Sequence, residues 1–188
     1  MTDQPQDRKR KKRPAATFSQ GWRPPLVFSF EDMIRESNRI ENIERDPTSE
    51  EMSEFLRFLN LERLNVSELK YFVSIYQPGA VLRDKPGLNV RVGTHYPPSG
   101  GPQIEEKLAS LLDAVNRTTV YSWEAHTLFE WLHPFTDGNG RSGRMIWYWF
   151  QHRIASHMMT YGFLRGYYYQ TLQNGNTKHL RERLGWGK

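Results

Sequence analysis

Residues 133–144 read HPFTDGNGRSGR, and most side chains in that stretch could take part in chemistry. His133 is a base whose ordinary pKa lies near neutrality. Asp137 is a carboxylate, the kind of ligand a hard cation takes. Asp137-Gly138-Asn139-Gly140 is turn chemistry, because Gly and Asn tolerate positive φ. Arg141 and Arg144 stand at i and i+3, on one face of a first helical turn. A glycine loop running into a helix leaves N–H groups pointing outward, and with the helix dipole they make an anion site. Two arginines at that end oppose the dipole at a cost of up to about 1 kcal/mol each. An anion held among them would offset that cost, so the stretch reads as a grip for a polyphosphate beside a base.

Three other readings of these residues fail. Gly138 and Gly143 have the spacing of a P-loop, but Arg144-Met145 stands where Lys-Ser/Thr is needed, and a helix precedes the loop rather than a strand. An EF-hand starting at Asp137 would put Arg141 at its fifth position, which no calcium site accepts. Zinc lacks a third ligand: His126 and His133 are the nearby histidines, and the chain has no cysteine.

With every fixed position filled, residues 133–144 resemble the Fic-domain signature H-x-F-x-[DE]-G-N-G-R-x-x-R, eight defined positions in twelve residues. The resemblance implies an all-α fold with one small β-hairpin flap. It also implies transfer of AMP from ATP to a Tyr, Thr or Ser hydroxyl of a target protein, self-modification included. In that scheme His133 is the catalytic base and Asp137 holds Mg²⁺ against the phosphates of ATP. The backbone of Gly138, Asn139 and Gly140 holds the α-phosphate, Asn139 and Arg141 fix the phosphates, and Arg144 takes the γ-phosphate. Ser142 and Gly143 complete the ATP-binding turn. Arginine forks suit phosphate better than lysine does.

Two further stretches and a short cluster extend the resemblance. Ser37-Asn38-Arg39-Ile40-Glu41-Asn42 is similar to the Fic inhibitory motif [ST]-x-x-x-E-[GN]. It implies that Ser37, Glu41 and Asn42 are inhibitory, with Glu41 pairing with Arg144 in place of the γ-phosphate. Leu88-Asn89-Val90-Arg91-Val92-Gly93 alternates like a short strand after the Pro86-Gly87 turn. It resembles the Fic flap, so Val90, Arg91, Val92 and Gly93 are expected beside ATP, where the flap edge would also hold an extended target segment. Family members commonly have G-x-x-R leading into the flap, whereas Gly79 to Arg83 is one residue longer. Tyr168, Tyr169 and Asn176 resemble the wall against the nucleotide base.

Other chemistries stay open on the same fold: another nucleotide, phosphate or phosphocholine transfer, or removal of AMP. The intact Gly138-Asn139-Gly140-Arg141 run favours AMP transfer. A non-enzymatic nucleotide sensor whose tail contacts nucleic acid is a further alternative. Such a sensor needs neither a base at 133 nor an inhibitory glutamate at 41.

The elements that must position these residues are helical. Ser29 can cap a helix with Phe30, Met33, Ile34, Ile40 and Ile43 apolar, an inhibitory helix over about 29–44. Asp46-Pro47 starts a second, with Pro47 near its first position and Phe55, Leu56, Phe58 and Leu59 inward. Asn65 begins a third, with Leu69, Phe72, Val73 and Tyr76 inward, ended by Gln77-Pro78-Gly79. Residues 102–115 carry an apolar stripe of Ile104, Leu108, Leu111 and Leu112. Residues 120–132 are apolar nearly all round, a buried central helix whose end Pro134 sets near His133. Within it Glu124 and His126 need hydrogen-bond partners. His95 is expected to be structural. The helix after the loop is expected from Arg141 onward.

The 188 residues suggest one domain, 26–188, behind a polar tail of 1–25. The net charge of +5 is local: residues 1–13 hold six basic and two acidic side chains, leaving 20 and 19 in the rest. A nearly neutral body argues against a nucleic-acid-binding fold, though the tail could touch nucleic acid. The longest uninterrupted apolar run, 145–150, is six residues, too short for a membrane span. With no apolar run behind the basic N-terminus and no cysteine, a cytoplasmic protein is expected. The sequence names neither the target protein nor the oligomeric state.

Overall fold

The computed structural model describes residues 29–154 and 177–187. The tail and Tyr168, Tyr169 and Asn176 lie outside the described residues. Among the described residues seven helices run in chain order: α1 Phe30–Ile40, α2 Ser49–Leu59, α3 Val66–Tyr76, α4 Pro102–Asn116, α5 Ser122–Leu132, α6 Asn139–Ile154 and α7 Lys178–Arg183. The all-α expectation holds.

Local chemistry sets the helix starts. Ser29 Oγ accepts the Asp32 N–H at 3.1 Å while the Asp32 carboxylate accepts the Ser29 N–H, so each satisfies an end group of α1. Thr48 and Glu51 do the same for α2. This moves the start expected at Pro47: Thr48 is the N-cap and Pro47 lies just outside, because Thr48 has the side-chain acceptor and the N–H that close the box and proline has neither. Asn65 caps α3 through the Glu68 N–H at 2.9 Å. Leu56 is 39% exposed, not inward, since it sits about 100° around α2 from Phe55.

The core is the pair α5 and α6, the most extensive contact among the described helices, flanked by α1 to α4. Ala125, Leu128, Phe129 and Leu132 of α5 are fully buried, as are Ile146 and, nearly, Trp149 of α6. α1 inserts Met33, Ile34 and Ile40 into the same core, each 1% exposed. Behind α7, Trp186 stacks on Trp131 of α5 with centroids 5.9 Å apart.

The flap differs from the expected hairpin. Among the described residues no strand forms, and the flap is a tight turn closed by one bridge, with Val92 and His95 exchanging N–H···O bonds of 3.0 and 2.9 Å. Pro97 and Pro98 follow at once and have no N–H, so the return segment cannot extend a ladder. The segment after α3 pairs elsewhere. Arg83 N–H donates to Pro134 O at 2.8 Å and Thr136 N–H to Val81 O at 2.9 Å, so residues 81–83 run beside the loop that joins α5 to α6.

Candidate active site

His133 ends α5 in the left-handed region, φ 47° and ψ 61°, with its N–H bonded to Phe129 O at 2.8 Å. A non-glycine residue held there costs on the order of 1–3 kcal/mol, so the surroundings must fix it. Arg83 does so. It is fully buried, and its guanidinium donates to the carbonyls of Leu132 and His133 on α5 and of Leu88 and Pro98 at the flap base, at 2.7–3.2 Å. One cation thereby ties the flap to the end of α5. The imidazole is largely buried, and Nδ1 is its buried nitrogen. Burial, reinforced by the Arg83 charge, lowers its pKa to about 4, so His133 is neutral at pH 7 and able to accept a proton.

The following helix starts earlier than expected, at Asn139 rather than Arg141. Gly138, at φ 75°, turns the chain, and its carbonyl accepts the first helical bond from Ser142 N–H at 3.1 Å. The N–H groups of Asn139, Gly140 and Arg141 thus precede any intrahelical acceptor. Asn139 is 2% exposed, and its side chain brackets the loop through Phe135 N–H and O, both at 2.9 Å. Ser142 Oγ donates to Gly138 O at 2.6 Å. At Gly143 an added Cβ would come within 2.6 Å of Glu130 Oε1, 2.9 Å of His126 Nδ1 and 3.0 Å of Phe129. Asn139, Ser142 and Gly143 therefore spend their contacts on building the loop and seating α6 on α5. Glu124 accepts the Tyr121 N–H at 2.9 Å, and His126, fully buried, hydrogen-bonds the Gly143 backbone. His95 lies 2.9 Å from Trp131 O, a structural contact.

Arg141 and Arg144 are 5% and 0% exposed, two buried cations at one helix start. Arg144 Nε donates to Ser37 Oγ and Nη2 to Ser37 O, both at 2.9 Å, and Nη2 also meets Glu41 Oε1 at 2.7 Å. The expected Glu41–Arg144 pair is present. Glu41 is the C-cap of α1, and Asn42 follows at φ 61°, where Asn is better tolerated than most residues. The Glu41 carboxylate overhangs the first turn of α6: an added Cβ on Gly140 would collide with its Oε1. An anion therefore already lies at the helix start.

Two residues that sequence reasoning missed complete the site. Gln77, taken only as a helix stop, donates from Nε2 to Asp137 Oδ2 at 2.7 Å and accepts from Arg141 Nη2 through Oε1. Glu130 lies under the loop, its carboxylate 3.8 Å from His133 Nδ1, and burial pushes its pKa up to about 8. The flap residues divide. Arg91 turns back on its own loop, with Nε on Gly93 O at 2.8 Å and its guanidinium over the Tyr96 ring, while Val92 stays 42% exposed.

Among the described residues no group of three or more His, Asp and Glu could by itself hold a metal ion. Asp137 is an exposed, acceptor-only carboxylate at the edge of the anion grip. That fits a cation bound by one carboxylate and substrate phosphates, the usual manner of Mg²⁺. No described helix is long and apolar enough to cross a membrane.

The site sets the largely buried His133 imidazole and two buried arginines around one helix start of a helical domain. The Fic/DOC family model matches residues 61–151, a little under half of the chain. The matched span holds the flap, α5, the loop of residues 133–138 and most of α6. Proteins of this family generally transfer nucleotide or phosphate-containing groups to proteins. No curated protein matches the chain.

Proposed function

We propose that the protein is an adenylyltransferase that moves AMP from ATP to a Tyr, Thr or Ser hydroxyl of a protein, and that α1 holds it inactive. The observation that carries this reading is the Glu41 carboxylate on Arg144 at 2.7 Å, above the helix start where a phosphate would otherwise sit. One carboxylate on one guanidinium is an apt stand-in for one phosphate. Removing it frees a buried cation for the γ-phosphate.

The arrangement supports a direct displacement. His133, neutral and with Nδ1 buried, takes the hydroxyl proton on Nε2. The hydroxyl oxygen bonds to the α-phosphorus, the bond from that phosphorus to the bridging oxygen breaks, and pyrophosphate leaves. The orphan N–H groups of the first α6 turn face the growing charge. Asp137 would hold Mg²⁺, which neutralises phosphate charge when bound. Within this reading the protein acts in the cytoplasm, where ATP and Mg²⁺ are at hand, with a protein substrate or its own chain as acceptor.

ATP labelled on the α-phosphate tests this directly. With lysate and Mg²⁺, Glu41→Gly is expected to place label on protein at least tenfold above wild type, and Glu41→Gly/His133→Ala to lose it. Equal labelling by wild type and Glu41→Gly would remove inhibition by α1. No label in any lane would move the reading to another nucleotide or leaving group.

A further inference from the structure

Gln77 lies 60 residues before Asp137 and belongs to no part of the loop, yet it touches two charged groups of the stretch, Asp137 and Arg141. Its backbone is pinned at the C-cap of α3: N–H to Val73 O at 2.7 Å, and C=O accepting Ala80 N–H at 3.1 Å. Its side chain lies across the turn at Gly138, where an added Cβ would come within 2.9 Å of the Gln77 Cβ. The bare glycine gives Gln77 its seat.

A carboxylate only accepts and a guanidinium only donates, so both can be served at once by an amide, donor at one end and acceptor at the other. The two partners also fix which way the amide faces. Asp137 Oδ1 is held by the Gly138 N–H at 2.7 Å, and Gln77 supplies the second restraint, on Oδ2. Arg141 feels the Asp137 charge, and a neutral amide stands between them. Without it the two would neutralise each other, and neither a cation nor a phosphate would find its full counter-charge.

We propose that Gln77 is the positioning residue of the nucleotide grip, orienting Asp137 for the cation and Arg141 for the phosphates while keeping them apart. This rests on the adenylyltransferase reading for the identity of the ligand, a divalent cation with a nucleoside triphosphate. Outer groups that orient a ligating carboxylate commonly carry about 10–100-fold in metal affinity.

The test uses the full chain with Glu41→Gly, Mn²⁺ in place of Mg²⁺, and α,β-methylene-ATP, whose scissile bridge cannot break. Bound Mn²⁺ is counted by electron paramagnetic resonance, and nucleotide binding without metal by calorimetry. Gln77→Met keeps the length and removes both bonds; it is expected to weaken both affinities about tenfold or more, while the folded protein persists. Gln77→Glu keeps the acceptor for Arg141 and adds a carboxylate beside Asp137. It is expected to tighten Mn²⁺ relative to the parent and to weaken nucleotide alone. A purely structural helix stop would not split the two affinities in opposite directions. Unchanged affinities in both variants would overturn the assignment and leave the adenylyltransferase reading intact. If the parent, with Gln77 in place, bound no nucleotide, that reading would fall and the assignment with it.

Discussion

Glu130 is a largely buried carboxyl, its Oε1 shut off between α5 and α6 and its Oε2 3.8 Å from His133 Nδ1. Burial raises its pKa to about 8 from an ordinary 4.5, with the nearby Arg144 charge pulling down and the Glu41 charge pushing up. The folded protein therefore keeps a proton that the unfolded chain releases as pH climbs through about 4.5. Stability from this group is fully present below that value and drains away as pH rises through about 8. His133 and His126, lowered to about 4 and about 3 by burial, act on the acid side, where the unfolded chain charges its histidines first. The pair Glu130 and Glu130→Gln isolates the carboxyl. The two proteins should unfold in urea at similar midpoints at pH 5, and the variant should be the more stable at pH 9 by on the order of 3 kcal/mol. Equal midpoints at both values would mean that Glu130 ionises freely in the fold. At this scale the sequence was informative only where chemistry is contiguous. His133, Asp137 and the two arginines declare themselves by spacing along twelve residues. Gln77 and Arg83 meet the loop across 49 to 64 positions, and no local pattern records such a contact.

Among elements, the helix pattern was legible because apolar period and capping side chains agree. Ser29, the Asn65 cap, the Gly79 turn and the Pro134 stop all lie where their chemistry placed them. The flap was misjudged because alternation in residues 88–93 describes a strand's faces and says nothing about a partner. The partner segment carries two prolines, so one bridge forms and the ladder stops. What holds the flap base is instead Arg83, whose four carbonyl bonds join it to the last turn of α5. Arg83→Met keeps bulk and leaves these buried carbonyls without their donor, at a cost on the order of 3 kcal/mol. In a Glu41→Gly background it should also lower turnover, because His133 loses the bond that steadies its left-handed backbone. Lysine, with a compact ammonium in place of the fork, should recover only part of the loss. A Met variant with parental stability and turnover would show that the flap and the base need no shared anchor.

At the scale of the molecule, α1 is both part of the core and the bearer of Glu41, the carboxylate on Arg144 that we propose is blocking. Met33, Ile34 and Ile40 are each 1% exposed, and Ser37 gives Arg144 two bonds that do not involve Glu41. Fully burying one such apolar side chain contributes about 1.5–3 kcal/mol, and three of them together outweigh one carboxylate that is 34% exposed. Docking of α1 and blockage of Arg144 are therefore separable. Glu41→Gly should free the γ-phosphate position while α1 stays in place. Amide hydrogen exchange checks this: protection over 33–40 in Glu41→Gly should match wild type, with and without ATP and Mg²⁺. If exchange there rose to that of an open segment once ATP was added, the whole helix would have to leave. Inhibition would then be a competition for the core and not for one guanidinium. The fold favours the single-residue switch, because undocking α1 would expose three core side chains to gain one ion pair.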